Sequence, residues 1–196
     1  MAEPARKHWT TDEFFAWQEE QEDRYELVNG EPVRMMAGAR NAHDDVVVNV
    51  LLSLGEQLRG SGCRPFTGDG SVETYSGQIR RPDIGVDCGD RDPDGYGASD
   101  PRVIVEVLSP STRDFDAFRK IEEYKLVESV RAILLIDPNR RDAQLWLREG
   151  GGRWSAARHN DPNGTIDLGT LGLRLAMDAI YEGINTDSGP PLMPGE

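Results

Sequence analysis

The sequence predicts a mixed α/β (α+β) fold in which helices flank a mixed central β-sheet, with an N-terminal helix and β-hairpin. Residues 102–108 and 131–137 are nearly continuous aliphatic runs, as expected of strands covered on both faces. A helical segment joins them, so the two strands are expected to be parallel. Antiparallel hairpins before and after this unit make the predicted sheet mixed.

The N-terminal part of the chain predicts a helix followed by a hairpin. A capping box over Thr10–Glu13 begins the helix. Within residues 24–36, Asn29 and Gly30 separate two extended runs, which is the strongest short signal for a hairpin. Pro32 should confine the second strand to a sheet edge, because proline cannot donate to the ladder.

The middle of the chain predicts a helix and then short strands. Between Asn41 and about Arg59, apolar residues recur at helical spacing, namely Val47, Val50, Leu51, Leu54 and Leu58. Short extended runs follow at 64–66, 71–75 and 84–87. Beyond the first buried strand we expect a helix over 116–128 and, after the second, a hairpin formed by 143–147 and 153–157.

Length and composition favour one domain, residues 1–196, with a core at about 8–182 and a Pro/Gly-rich flexible tail at 183–196. No apolar run approaches the ~18 residues that cross a bilayer, and the first residues lack the apolar region of a secretory signal. We therefore expect a cytoplasmic protein. Cys63 and Cys88 are expected to be buried or half-buried thiols.

The net charge of −13 predicts weak non-specific affinity for phosphate backbones. An enzyme acting on nucleic acid would need a locally basic cleft, or divalent cations that screen its carboxylates.

Two carboxylates suggest a metal site. Glu106 lies inside the apolar run 102–108, where an unpaired charge is very costly. It therefore needs a salt-bridge partner, a position at an exposed strand end, or a bound cation. Asp83 follows Pro82 at the start of another extended run, and two carboxylates with a backbone carbonyl suit Mg²⁺ or Mn²⁺.

These residues resemble a known family as a set. The set comprises Tyr25-Glu-Leu-Val-Asn-Gly-Glu31, His43, Arg81-Pro-Asp83, Ile104-Val-Glu106-Val-Leu-Ser-Pro-Ser-Thr112, Lys120, Tyr124 and Ile136-Asp137-Pro138. The pattern resembles the Uma-type restriction endonucleases, a branch of the PD-(D/E)XK nuclease superfamily, over roughly residues 8–150. The resemblance implies a restriction endonuclease-like fold, divalent-metal cleavage of DNA phosphodiester bonds, and a homodimer.

The resemblance also implies residue roles. Asp83 and Glu106, with the carbonyl of Val107, would bind Mg²⁺ or Mn²⁺, and Lys120 would orient the attacking water or stabilise charge on the phosphate. It further implies that Glu26 reaches the catalytic site. The candidates for substrate contacts are His43, Gln78 and Arg80.

One position departs from the superfamily pattern. The usual lysine lies two residues after the glutamate, where this chain has Leu108. At ~100° per residue, Lys120 falls about 40° from Tyr124, at the edge of the helix face that packs on the sheet. Its long stem can reach the carboxylates, whereas Arg119 and Glu123 are expected to point outward.

Two other functions stay open on the sequence alone. The acidic net charge, and the presence of Leu108 where the superfamily has a lysine, would also suit a non-catalytic protein of this fold that serves as a binding or assembly module. A hydrolase of another phosphoester would be less handicapped by an acidic surface. The alternative role for Glu106 is a structural salt bridge, with Lys120 as a candidate partner.

Overall fold

The computed structural model describes residues 8–35, 38–109 and 116–186, and in these ranges the chain forms four α-helices and twelve strands, with a short 3-10 helix at Gly150–Gly152. In chain order they are α1 (Thr11–Gln18), β1 (Tyr25–Val28), β2 (Glu31–Arg34), α2 (Asn41–Gln57), β3 (Arg64–Thr67), β4 (Val72–Tyr75), β5 (Gln78–Arg80), β6 (Ile84–Asp87), β7 (Pro101–Val107), α3 (Asp116–Tyr124), β8 (Ala132–Asp137), β9 (Asp142–Arg148), β10 (Trp154–His159), β11 (Thr165–Asp167), β12 (Arg174–Ala176) and α4 (Met177–Ile180).

A six-stranded sheet, in the order β10-β9-β8-β7-β6-β3, forms the centre of the fold. Strands β7 and β8 are parallel, with Glu106 opposite Leu135, and the other neighbours are antiparallel. The predicted mixed sheet, flanked by helices, is confirmed. Helix α3 makes the crossover between β7 and β8, as the helical segment between the two aliphatic runs indicated.

Alternation along β7 decides which side chains face which helix. Successive strand residues point to opposite faces of the sheet. Val103 and Val105 face a core built with α2, where Val46, Val50 and Leu54 are fully buried. Ile104 faces the other core, which α3 covers with Ile121 and Tyr124. Glu106 shares the parity of Ile104, and it therefore points towards α3.

A second, four-stranded sheet has the order β2-β1-β5-β4. The predicted hairpin is confirmed: Asn29 and Gly30 adopt φ values of 53° and 75° between β1 and β2. Positive φ at both central residues is the geometry of a type I′ turn. Strand β2 lies at the sheet edge, as Pro32 predicted. Strand β5, which the sequence analysis did not predict, lies between β1 and β4.

The prediction that Cys63 and Cys88 are thiols is wrong, because the two residues form a disulfide. Cys63 precedes β3, Cys88 follows β6, and Arg64 pairs with Asp87 in the antiparallel register, which brings the two cysteines opposite each other. The half-buried positions expected for them are found.

Some boundaries differ from the sequence expectation. Helix α3 ends at Tyr124, before the predicted end at residue 128, and β11, β12 and α4 were not predicted. Most of the predicted tail, residues 187–196, lies outside the described residues, as do residues 110–115. Over the described ranges, every helix is too short or too polar to cross a membrane.

Candidate active site

The candidate site is a cleft of about 580 Å³ at the junction of the two sheets. Residues 81–83 connect β5 of the smaller sheet to β6 of the larger one, so Asp83 lies where the sheets diverge. Six of the eight predicted site residues line this cleft, namely Glu26, His43, Asp83, Glu106, Val107 and Lys120.

Glu106 is held near the end of β7 by a residue of α3. The Tyr124 hydroxyl donates a 2.8 Å hydrogen bond to Glu106 Oε1. Burial raises the pKa of Glu106 to about 8; the charge of Asp83 adds to that rise, while the Lys120 charge and the Tyr124 bond oppose it. The ionised form of Glu106 therefore needs more positive charge than these neighbours supply.

Asp83 is oriented by the backbone of β7. Its Oδ2 accepts a 2.7 Å hydrogen bond from the Val107 N–H and lies 3.4 Å from His43 Nε2. Burial lowers the pKa of His43, but the bond and charge of Asp83, the charge of Glu106 and a contact with the Val107 backbone outweigh it, so the pKa is raised. Asp83, Val107 and His43 thus form one contiguous group beside Glu106.

Lys120 reaches the carboxylates, as the helix geometry predicted. Its Nζ lies 3.0 Å from Glu26 Oε1 and 3.9 Å from Glu106 Oε1. Burial lowers the pKa of Lys120, but the charges of Glu106 and Glu26 and the Glu26 bond outweigh it and raise the pKa above its usual value. The side chain is therefore an ammonium ion.

Glu123 corrects the sequence expectation, because it points inward with only 7% of its surface exposed. It receives a bidentate pair of bonds from Arg80, and Gln78 Nε2 donates to it at 2.8 Å. The run 78–81 has no alternation that marks Arg80 as buried, so its need for a carboxylate partner could not be read from the sequence. The sequence did not tell which carboxylate that would be.

Gln78 and Arg80 lie behind the cleft, not in its wall. They are 0% and 2% exposed, and neither lines the cleft. Their polar atoms bond to Glu123, Glu26 and the Asn29 N–H. This position does not favour the direct substrate contact predicted for them.

The charged groups of this cluster form a network of ion pairs. Arg80 bonds to both Glu123 and Glu26, partly exposed Arg119 also contacts Glu123, and Lys120 lies between Glu26 and Glu106. Asp83 has His43 as its basic neighbour, and a divalent cation beside Asp83 and Glu106 would add the positive charge that buried Glu106 needs. Within the described residues no three His, Cys, Asp or Glu side chains converge as a complete metal cage. Two carboxylates and a neighbouring carbonyl are the few oxygen ligands that Mg²⁺ would take from a protein while it keeps several waters.

The mixed sheet, with Asp83, Glu106 and Lys120 in the cleft where the two sheets diverge, is the arrangement that the family resemblance implied. The model of the Uma2 family, described as "Putative restriction endonuclease", matches residues 11–178, and the chain belongs to this family. The family resemblance and the fold stated from the sequence are confirmed, and membership supports a nuclease.

Two similar proteins match this chain over most of its length. The uncharacterized protein slr1290 of Synechocystis sp. is 27% identical over 175 residues, covering 88% of this chain and 91% of that protein. The crystal structure of a "putative nuclease belonging to DUF820" from Anabaena variabilis is similar with a TM-score of 0.67 at 17% identity, covering 88% of this chain and 97% of that one. At that identity the second likeness concerns the fold.

Proposed function

We propose that the chain is a metal-dependent endonuclease that hydrolyses DNA phosphodiester bonds in the cleft at the junction of the sheets. The observation that carries the proposal is the convergence of Asp83 and Glu106 beside the ammonium of Lys120. Family membership supports the nuclease class.

The carboxylates of Asp83 and Glu106 and the carbonyl of Val107 would hold Mg²⁺ or Mn²⁺. When bound, such an ion polarises a phosphoryl oxygen and lowers the pKa of a bound water. The Val107 N–H supports this role because it fixes the Asp83 carboxylate at 2.7 Å beside the same residue's carbonyl.

Lys120 would stabilise negative charge that develops on the phosphate. An ammonium with a raised pKa is a poor base, so it is suited to electrostatic stabilisation and to orienting a water by hydrogen bonding. Glu26 holds this ammonium, and Tyr124 holds the adjacent Glu106. His43 would support Asp83 and could meet a substrate phosphate at the cleft wall.

The cleft is much less negatively charged than the chain as a whole, which favours the entry of DNA, a polyanion. The lining contains four Lys or Arg and five Asp or Glu, a balance of −1, against −13 for the chain. A bound divalent cation would make this balance positive. Since a duplex has two strands to cut, we also propose that the enzyme acts as a homodimer, which light scattering on the purified protein would test.

A supercoiled-plasmid nicking assay tests the proposed function. Wild-type protein with Mg²⁺ or Mn²⁺ should nick the plasmid, EDTA should stop the reaction, and Asp83→Ala should lower the rate by at least about 100-fold, as loss of one key electrostatic group does. The matched control is Asp94→Ala, the same substitution at an exposed aspartate outside the cleft.

Two outcomes would oppose the proposal. Absence of nicking with every metal would favour a binding module of the nuclease fold, whereas cleavage of bis(p-nitrophenyl) phosphate without plasmid nicking would favour a different phosphoesterase. Undiminished nicking by Asp83→Ala would place the chemistry at another site.

A further inference from the structure

We propose that Arg80 and Glu123 are positioning residues that hold Lys120 in its working place through Glu26. This inference rests on the proposed nuclease function for its kinetic consequence. Neither residue lines the cleft, so each would act through another side chain and not on substrate.

Arg80 uses all three nitrogens of its guanidinium to join two carboxylates. Its Nε and Nη2 donate to Glu123 Oε2 and Oε1 at 2.5 and 2.8 Å, and its Nη1 donates to Glu26 Oε2 at 2.8 Å. A planar fork with three buried bonds leaves little rotational freedom. The relative positions of Glu26 and Glu123 are therefore fixed by Arg80.

Glu26 is in turn bound at both oxygens. Oε2 accepts from Arg80, while Oε1 accepts from the Arg81 N–H at 3.0 Å and lies 3.0 Å from Lys120 Nζ. The carboxylate cannot rotate without breaking bonds on both sides. Its Oε1 therefore defines one point in the cleft wall at which the Lys120 ammonium is held, 3.9 Å from Glu106.

These contacts close a ring. Lys120 and Glu123 are three residues apart on α3, so they lie on neighbouring turns of one helix surface. The ring runs from Lys120 to Glu26, to Arg80, to Glu123 and back along the helix. Gln78 braces it from β5 by donating to Glu123 while it accepts from the Asn29 N–H in the hairpin turn.

Removing the charge of Glu123 should loosen Lys120 without removing it. In Glu123→Gln, Arg80 loses its bidentate anion and competes with Lys120 for Glu26. We expect kcat for plasmid nicking to fall about tenfold, less than the ~100-fold that a misplacement of 1 Å can cost. KM should change less than about twofold, because no substrate contact is lost.

A double-mutant cycle separates positioning from plain stabilisation. If Glu123 acts through Lys120, Glu123→Gln should have no further effect on the single-turnover rate in a Lys120→Ala background. The matched control is Arg158→Gln, which removes a bidentate arginine–carboxylate pair with Asp142 elsewhere in the sheet. It should lower the melting temperature and leave kcat unchanged. Equal losses from Glu123→Gln in both backgrounds would overturn the proposal.

A measurement without cleavage keeps the inference testable on its own. The side-chain ¹⁵Nζ resonance of Lys120, assigned by its absence in Lys120→Ala, should be protected from exchange in wild-type protein and in Arg158→Gln. This resonance should shift or broaden in Glu123→Gln and in the charge-conserving variant Arg80→Lys. Circular dichroism would verify that both variants are folded. An unchanged resonance in either folded variant would overturn the positioning role. If the wild-type protein does not nick the plasmid, the proposed nuclease function is wrong. The resonance of Lys120 would still show whether Arg80 and Glu123 hold this side chain in place.

Discussion

Lys120 is the single residue on which the proposed chemistry depends most, because it is the cleft cation nearest to Glu106. Lys120→Ala should lower kcat for nicking by about 100-fold to 1000-fold, the usual effect of removing one preorganised electrostatic group. Binding of DNA should change only slightly. Lys120→Ala with kcat within threefold of wild type would contradict the role. The matched control is Lys125→Ala, a lysine that directly follows α3 and pairs with exposed Glu122.

The residues of the site could be predicted from the sequence where each has a local reason for its position. Glu106 stands out because it interrupts an aliphatic strand. Lys120 was identified mainly from the family resemblance, and its angle on the helix permits the role without requiring it. Glu123 could not be assigned in this way. Its burial depends on Arg80, which is 43 positions away and belongs to a strand that pairs in the other sheet. The angular position of Glu123 on the helix, taken alone, indicated that its side chain faces solvent.

Strand β6 depends on a glycine for its packing against β3. Gly85 pairs with Phe66 across the two strands, and a Cβ at residue 85 would overlap the Phe66 ring. Gly85→Ala should therefore destabilise the fold by about 2 kcal/mol, as overpacking of a full core does. Urea denaturation measures this, with Gly150→Ala as control because nothing lies within 4 Å of its added Cβ. An equal stability for both variants would contradict the packing argument.

Elements were predictable when their signal was confined to a few adjacent residues. The hairpin follows from Asn29 and Gly30, and the parallel unit follows from two aliphatic runs with a helix between them. Strand β5 has only three residues, between Gly77 and Arg81, so its sequence carries no clear alternation. The disulfide escaped prediction for a related reason: it needs the register of β3 and β6, which is tertiary information.

The net charge of the whole molecule disfavours binding of DNA, so we predict that binding of the proposed metal ion and binding of DNA depend on each other. With a chain charge of −13 and a cleft balance of −1, affinity should be weak in EDTA. Adding Ca²⁺, which fits oxygen ligands, should strengthen binding of a labelled duplex about tenfold or more, a change of about 1.4 kcal/mol. Fluorescence anisotropy measures this. Equal affinity with and without Ca²⁺ would contradict a cation held by Asp83 and Glu106.

The disulfide should contribute to the stability of the whole fold. It closes a loop between residues 25 positions apart, which corresponds to about 3 kcal/mol from restriction of the unfolded chain. Reduction by dithiothreitol should lower the melting temperature by about 5–10 °C. The Cys63→Ser/Cys88→Ser double variant should melt at the lower temperature with or without the reductant. An unchanged wild-type melting temperature after reduction would contradict this contribution.

The same bond changes the covalent connectivity of the candidate site. The backbone from Cys63 to Cys88 is a closed macrocycle that contains Asp83, whereas Glu106 and Lys120 lie outside it. A single backbone cut at exposed Glu73 would therefore open the ring without separating the two halves of the chain. A gel without reductant would show one band and a reducing gel two, and the nicked protein would still carry both carboxylates in one covalent molecule.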